Sequence, residues 1–117
     1  MLNKKTLGKF GEKISVQYLK KKNYQVVEKN YRCRAGEIDI IAKKDNIFIF
    51  IEVKTRTSIL YGEPVESINH IKAEKIRKVA QYYLSSACVD EPRVRFDVIS
   101  VQKAYRKIII SHLKNAF

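Results

Sequence analysis

Five consecutive β-prone apolar residues, Ile47-Phe48-Ile49-Phe50-Ile51, run directly into Glu52-Val53-Lys54. A run this short and this uniformly apolar reads as a central strand covered on both faces. Just before it, Glu37-Ile38-Asp39-Ile40 alternates polar and apolar, the period of a half-buried strand. Lys44-Asp45-Asn46 between the two fits a tight turn, which makes an antiparallel hairpin. With Asp45-Asn46 as a two-residue loop, Lys44 opposes Ile47, Asp39 falls across from Glu52, and Glu37 falls across from Lys54. Directly opposed residues share a face. Ile38 then meets Val53 and Ile40 meets Ile51 on the other face. A slip of one residue would set Asp39 against an isoleucine.

Charges inside such runs are costly unless paired, hydrated or bound to a metal. Two facing carboxylates, Asp39 and Glu52, suit a hard divalent cation such as Mg²⁺ or Mn²⁺, which takes oxygen ligands and keeps several waters. Such an ion polarises a phosphoryl oxygen and lowers the pKa of a bound water. Lys54 projects to the same side as Glu52, where its ammonium can orient the attacking water or balance charge developing on a phosphate. The spacing fits equally well a cross-strand cluster of ion pairs: Asp39 and Glu52 with Lys54, and Glu37 with Arg34 or Arg56.

The remaining chain supplies elements on either side. Thr6 can cap a helix over residues 6–22, with Leu7, Gly11, Ile14 and Tyr18 on one face and Glu12 at its border. Residues 24–31 read as a first strand, with Arg32, Arg34 and Gly36 in the turn to the hairpin. Arg34 and Arg56 flank the carboxylates, where phosphate contacts are useful; solvated surface charge explains them as well. Residues 57–64 form a loop in which Tyr61 can stack on a base or sugar, or pack locally. A helix over residues 69–86 buries Ile68, Ile76, Val79, Ala80 and Tyr83, and Lys72 falls within that stripe. Lys72 either snorkels from the first helical turn or reaches the carboxylates or a phosphate. Two more strands follow over residues 93–102 and 107–113, the former carrying Asp97, which is expected to pair with Arg95 or Arg93. The order is α-β-β-β-α-β-β, a mixed sheet flanked by helices.

The 117 residues suffice for one domain, and a hydrophobic fraction of 45% favours a packed globule over disorder. Net charge is +12, a field that attracts polyanions. Charges interrupt every apolar segment below membrane-spanning length, and the N-terminal stretch lacks the apolar core of a signal peptide. A cytoplasmic protein that does not enter the membrane is expected. Cys33 and Cys88 lack the spacing of a zinc site and read as free thiols; His70 and His112 read as incidental residues.

Asp39 followed by Glu52-Val53-Lys54 at the end of an apolar strand resembles the core of the PD-(D/E)XK nuclease superfamily. More closely, the chain resembles the YraN-like family of small bacterial predicted endonucleases, similar to archaeal Holliday-junction resolvases. The likeness spans nearly the whole chain: Gly11-Glu12, Asn30-Tyr31-Arg32, Gly36-Glu37-Ile38-Asp39, residues 50–56, residues 61–64, residues 95–98 and Asn115-Ala116-Phe117. Ile38 replaces the superfamily's nominal Pro. The resemblance implies an α/β, restriction-endonuclease-like core of four to five strands in a single domain. It also implies a Mg²⁺- or Mn²⁺-dependent DNA endonuclease, with branched or structured DNA among its substrates. Asp39 and Glu52 would then be metal ligands, with Glu12, matching a first-helix Glu of that superfamily, as a third acidic group acting through a water. Lys54 would assist the attacking water, Lys72 and Arg56 would hold phosphate, and Glu37 would support Lys54 or a second ion. The charge alone fits a second class just as well, a nucleic-acid-binding or repair accessory module without hydrolysis. A homodimer suits a two-fold substrate in either class.

Overall fold

The computed structural model describes residues 3–57 and 68–117. Among them the elements are α1 (Lys4–Lys21), β1 (Gln25–Cys33), β2 (Gly36–Lys44), β3 (Ile47–Arg56), α2 (His70–Ser86), β4 (Arg93–Ala104) and β5 (Lys107–Leu113). This is the order expected from periodicity. The five strands form one sheet in the order β1-β2-β3-β4-β5, with β3 and β4 parallel and the other neighbours antiparallel. The parallel pair is joined across the segment containing α2, as a crossover requires. Tyr61 lies outside the described residues, as does most of the loop assigned to residues 57–64.

The helices cover opposite faces of the sheet. Leu19 of α1 and Tyr24 pack with Ile40, Ala42, Ile49, Ile51, Ile99 and Val101. Ile76, Val79, Ala80, Tyr83 and Leu84 of α2 pack with Ile38, Ile41, Phe48 and Phe50. The unbroken apolar run of β3 is thereby explained, since alternate residues feed the two layers. Burying each such Ile or Phe contributes about 1.5–3 kcal/mol, so the run fixes β3 at the centre. Asp45 and Asn46 both adopt positive φ (52° and 64°), as a two-residue primed hairpin turn demands. The register from Lys44↔Ile47 to Ile40↔Ile51 is the expected one.

Helix starts are set by asparagines. Asn3, rather than Thr6, caps α1: its Oδ1 accepts from the Thr6 N–H at 2.8 Å. Asn69 caps α2 through the Lys72 N–H at 2.9 Å. Gly11 sits where α1 crosses the end of β3. A Cβ there would lie 1.8 Å from Thr55 Oγ1, so only glycine allows this approach without displacing the threonine. Among the described residues no helix is long and apolar enough to cross a membrane. Cys33 and Cys88 are free thiols.

Asp97 is fully buried and joins β4, β5 and the α1 side of the molecule. Arg95 Nε and Nη2 donate to it at 2.9 and 2.8 Å, and the Asn115 N–H donates at 3.1 Å. His112 Nε2 lies 2.7 Å from Asp97 Oδ2, while Tyr18 Oη lies 2.9 Å from His112 Nδ1. An ionised carboxylate only accepts, so Nε2 carries hydrogen toward Asp97 and a neutral ring would accept from Tyr18 at Nδ1. Burial would raise the Asp97 pKa, but the hydrogen bonds from His112, Arg95 and Asn115 outweigh it and hold the group below the usual carboxylate range. The Arg95 partner was expected. His112 is not incidental: its side chain is 5% exposed and belongs to this network. Asp97→Ala strands Arg95 and His112 without their carboxylate and should lower unfolding stability by about 3–5 kcal/mol in denaturant titrations at pH 7, whereas a loss under 1 kcal/mol would show that the network does not hold the β4–β5 edge.

Candidate active site

The β2–β3 ladder ends at Ile40↔Ile51, although both strands continue. Beyond that point β3 stays paired with β4 as far as Arg56↔Gln102, and β2 stays paired with β1 as far as Cys33↔Gly36. The central sheet therefore forks, and Asp39 stands in the fork. Its Oδ2 accepts from the Val53 N–H at 2.8 Å, giving that amide a side-chain acceptor. Three expected ladder pairs, Asp39 with Glu52, Ile38 with Val53 and Glu37 with Lys54, do not form. Glu37 instead pairs with Arg32 across the β1–β2 ladder, Nε to Oε2 at 2.9 Å, both side chains being largely exposed.

Backbone irregularity produces the fork. Ile38 belongs to the core layer under α2 and Ile40 to the layer under α1, although strict alternation would put both on one face. The break falls at Asp39. Level with it on β1, between the pairs Lys29↔Ile40 and Tyr31↔Ile38, Asn30 adopts φ 53°. Asparagine tolerates that left-handed conformation better than most residues do. Backbone irregularities of this kind cluster at functional sites.

The two carboxyl groups meet. Asp39 hydrogen-bonds the side chain of Glu52, and its pKa is pushed up to about 8 by burial first, then by the charge of Glu52 and that hydrogen bond. The Val53 amide opposes the rise, while the more distant charge of Glu12 adds to it. Crowding of two carboxyl groups in a buried place favours holding a proton on Asp39. Glu52 is buried, at 7% exposure. Lys72 from the first turn of α2 forms an ion pair with Glu52, its own side chain 45% exposed. Lys72 thus reaches the carboxylates from the edge of the buried stripe rather than from its middle. Lys54 is half-buried on the same face of β3 as Glu52 and makes no ion pair among the described residues. Beside it on β4, Ser100 Oγ is buried with no hydrogen-bond partner.

Glu12 and Asp39 line one cleft of about 300 Å³, together with Lys5, Gly8, Lys9, Asn30, Arg32 and Glu37. The close crossing at Gly11 brings α1, and with it Glu12, to this rim. Arg34 is exposed in the β1–β2 turn and Arg56 is exposed at the end of β3. Arg77, partly exposed and paired with Glu74 at 3.2 Å, also lies with its guanidinium 5.8 Å from the ring centres of both Phe96 and Phe117.

The donor set suits an oxygen-preferring dication, because an ion of charge two would relieve the repulsion between the Asp39 and Glu52 carboxylates. Among the described residues no group of three or more His, Cys, Asp or Glu side chains gathers closely enough to enclose an ion. Water would have to complete the shell, and Glu12 would act through one. Asn30, Ser100 and the pairing of Arg32 with Glu37 escaped sequence reasoning. A positive φ inside a strand and an unpartnered hydroxyl leave no mark in hydrophobic period, although an Asn within a β-prone run is a weak cue.

The family model for uncharacterised protein family UPF0102 matches residues 11–101. The chain belongs to this family. UPF0102 proteins of Caldanaerobacter subterraneus, Alkaliphilus oremlandii and Clostridioides difficile are 46%, 48% and 46% identical to it. Each comparison covers 99% of this chain and 98–100% of the relative. The UPF0102 model takes in the fork, both carboxylates, Lys54 and Lys72.

Asp39 gains its proton on folding, so it favours the folded state at low pH and loses that favour as pH rises from about 4 to about 8. Asp39→Asn imitates the protonated carboxyl. In EDTA the melting temperature of the wild type should fall across this pH window relative to Asp39→Asn, leaving the variant more stable at pH 8. Parallel melting curves for the two proteins would contradict a proton held on Asp39.

Proposed function

We propose that this chain is a metal-dependent DNA endonuclease with a PD-(D/E)XK-type centre, hydrolysing phosphodiester bonds with Mg²⁺ or Mn²⁺. The observation that carries the proposal is the neighbouring Asp39 and Glu52 in a fork of the sheet, with Lys72 bound to Glu52 and Lys54 on the same face. A protein built for stability alone gains little from two carboxylates held together inside a sheet. In this reading Asp39 and Glu52 hold the ion, and Glu12 contributes through water. When bound, the ion polarises a phosphoryl oxygen and lowers the pKa of a water.

The chain's own groups then have distinct tasks. Lys54 donates to the attacking water or to the phosphate oxygens as charge builds there. Lys72, the counter-ion of Glu52 in the free protein, is within reach of the scissile phosphate once the pair's charge is balanced otherwise. Arg56 and Arg34 lie on the approach as phosphate contacts, where they position rather than read sequence. Glu37, paired with Arg32 on the cleft wall, steadies that arginine rather than Lys54. Branched or structured DNA is the substrate class suggested by the likeness to junction resolvases. A homodimer would present two such centres to a two-fold junction.

A second reading, a nucleic-acid-binding module without hydrolysis, draws on one feature. Lys72 already neutralises Glu52, and no third ligand is assembled among the described residues. The two readings part on one experiment. Purified protein incubated with supercoiled plasmid and with a four-way DNA junction should cut only when Mg²⁺ or Mn²⁺ is added. Asp39→Asn and Lys54→Ala should each reduce the rate at least 100-fold while keeping a cooperative melt. Equal cutting by those variants would reveal a contaminant. No cutting and no change in melting temperature at saturating metal would leave the binding module.

A further inference from the structure

Outside the carboxylate pair, the molecule carries a second built feature on the α1 side. A groove of about 470 Å³ lies between α1 and β1, lined by Lys9, Glu12, Lys13, Gln17, Lys29 and one apolar residue, Val16, with Asn30 at its foot. It shares Lys9, Glu12 and Asn30 with the cleft that holds Asp39. The two hollows are therefore continuous, and their common wall is the same edge of α1.

The charge along this edge is unusual. Lys5, Lys9 and Lys13 recur every fourth residue, which places three exposed ammonium groups in line on one helix face, spanning about 12 Å at 1.5 Å per residue. Like charges spaced i, i+4 destabilise a helix by about 0.2–0.5 kcal/mol per pair. None of the three forms an ion pair among the described residues. Lys29 faces them from β1. Repulsion of this kind is relieved by a row of negative charges lying in the groove.

We infer that the α1–β1 groove is a track for one strand of nucleic acid, whose phosphates sit along Lys5, Lys9, Lys13 and Lys29 and whose path leads into the Asp39 cleft. Charge complementarity and continuity with the cleft identify the occupant. A lipid surface fits worse, because the track is concave and the most exposed apolar residues, Ile71, Tyr82 and Tyr105, belong to α2 and the β4–β5 turn, with only Val27 as an exposed apolar residue on β1. The Asp39 end of the track rests on the nuclease reading, but strand binding itself requires no hydrolysis. Asn30 and Gln17 offer amides to sugar or base edges without demanding a sequence.

The experiment is a binding titration in EDTA, so that cutting plays no part. Fluorescein-labelled single-stranded DNA of mixed sequence is titrated with wild type, with Lys5→Gln/Lys9→Gln/Lys13→Gln, and with Lys78→Gln/Arg93→Gln/Lys114→Gln. The second triple variant removes the same charge from exposed positions outside the groove. The groove variant should bind at least ten-fold more weakly near 100 mM NaCl. Its slope of log K against log salt should fall by about 2, since each single-strand phosphate contact contributes about 0.7. It should also melt no lower than wild type, because the repulsion along α1 is gone. The other variant should lose less than three-fold. Equal losses in both variants, or none in the groove variant, would overturn the track. Wild-type binding with no cutting in metal would sink the nuclease reading and leave the track standing.

Discussion

The burial of Asp39 beside Glu52, in the fork between β2 and β3, is the constraint on which the site depends. Two acidic side chains stand close together where β2 and β3 part, which raises the Asp39 pKa, and Lys72 pairs with Glu52. Without the fork, Asp39 would lie in a regular ladder and the Val53 amide would seek a backbone acceptor. With it, the Asp39 side chain takes the role of that acceptor, and the opening between the strands becomes a cleft. The two core layers make the fork tolerable. Ile38 and Ile40 anchor β2 in opposite layers on either side of Asp39, so the strand is held firmly while its local geometry is broken.

The architecture around the fork follows from ordinary packing. β3 is covered on both faces, and each helix brings one charged side chain to the same end of the sheet: Glu12 from α1, through the close crossing at Gly11, and Lys72 from α2, through its first turn. A second buried carboxylate, Asp97, shows the contrast. It is surrounded by Arg95, His112 and the Asn115 amide, and its pKa is lowered. Asp39 has one amide and two acidic neighbours, and its pKa is raised. Two aspartates in one sheet thus separate by environment into one whose carboxylate is stabilised by its donors and one whose protonated form is favoured.

Much of this was legible in the amino-acid sequence, and the reasons are local. The run from Ile47 to Ile51 announces a doubly covered strand. Asp45-Asn46 announces its turn, and these together fix the register from Lys44↔Ile47 to Ile40↔Ile51, one pair short of Asp39 and Glu52. The element order followed from periods and turn residues. What was not legible depends on chain geometry between elements. Asn30 in the left-handed region, the end of the ladder at Ile40↔Ile51, and the pairing of Glu37 with Arg32 depend on local backbone irregularity and on how neighbouring strands align, which residue spacing does not encode. His112 was misjudged because its partners, Asp97 and Tyr18, lie 15 and 94 residues away. The lysine row on α1 was present in the sequence, but its meaning depends on the groove against β1.

The proton on Asp39 can be counted directly. Calorimetric titration of Mn²⁺ into the protein at pH 7, in two buffers of different ionisation enthalpy, gives the protons released per ion bound. Close to one proton per ion is expected for the wild type, since the incoming charge replaces the proton on Asp39, and none for Asp39→Asn. Binding without proton release by the wild type would contradict the account, because the carboxyl pair would then be fully ionised or not the place where the ion binds.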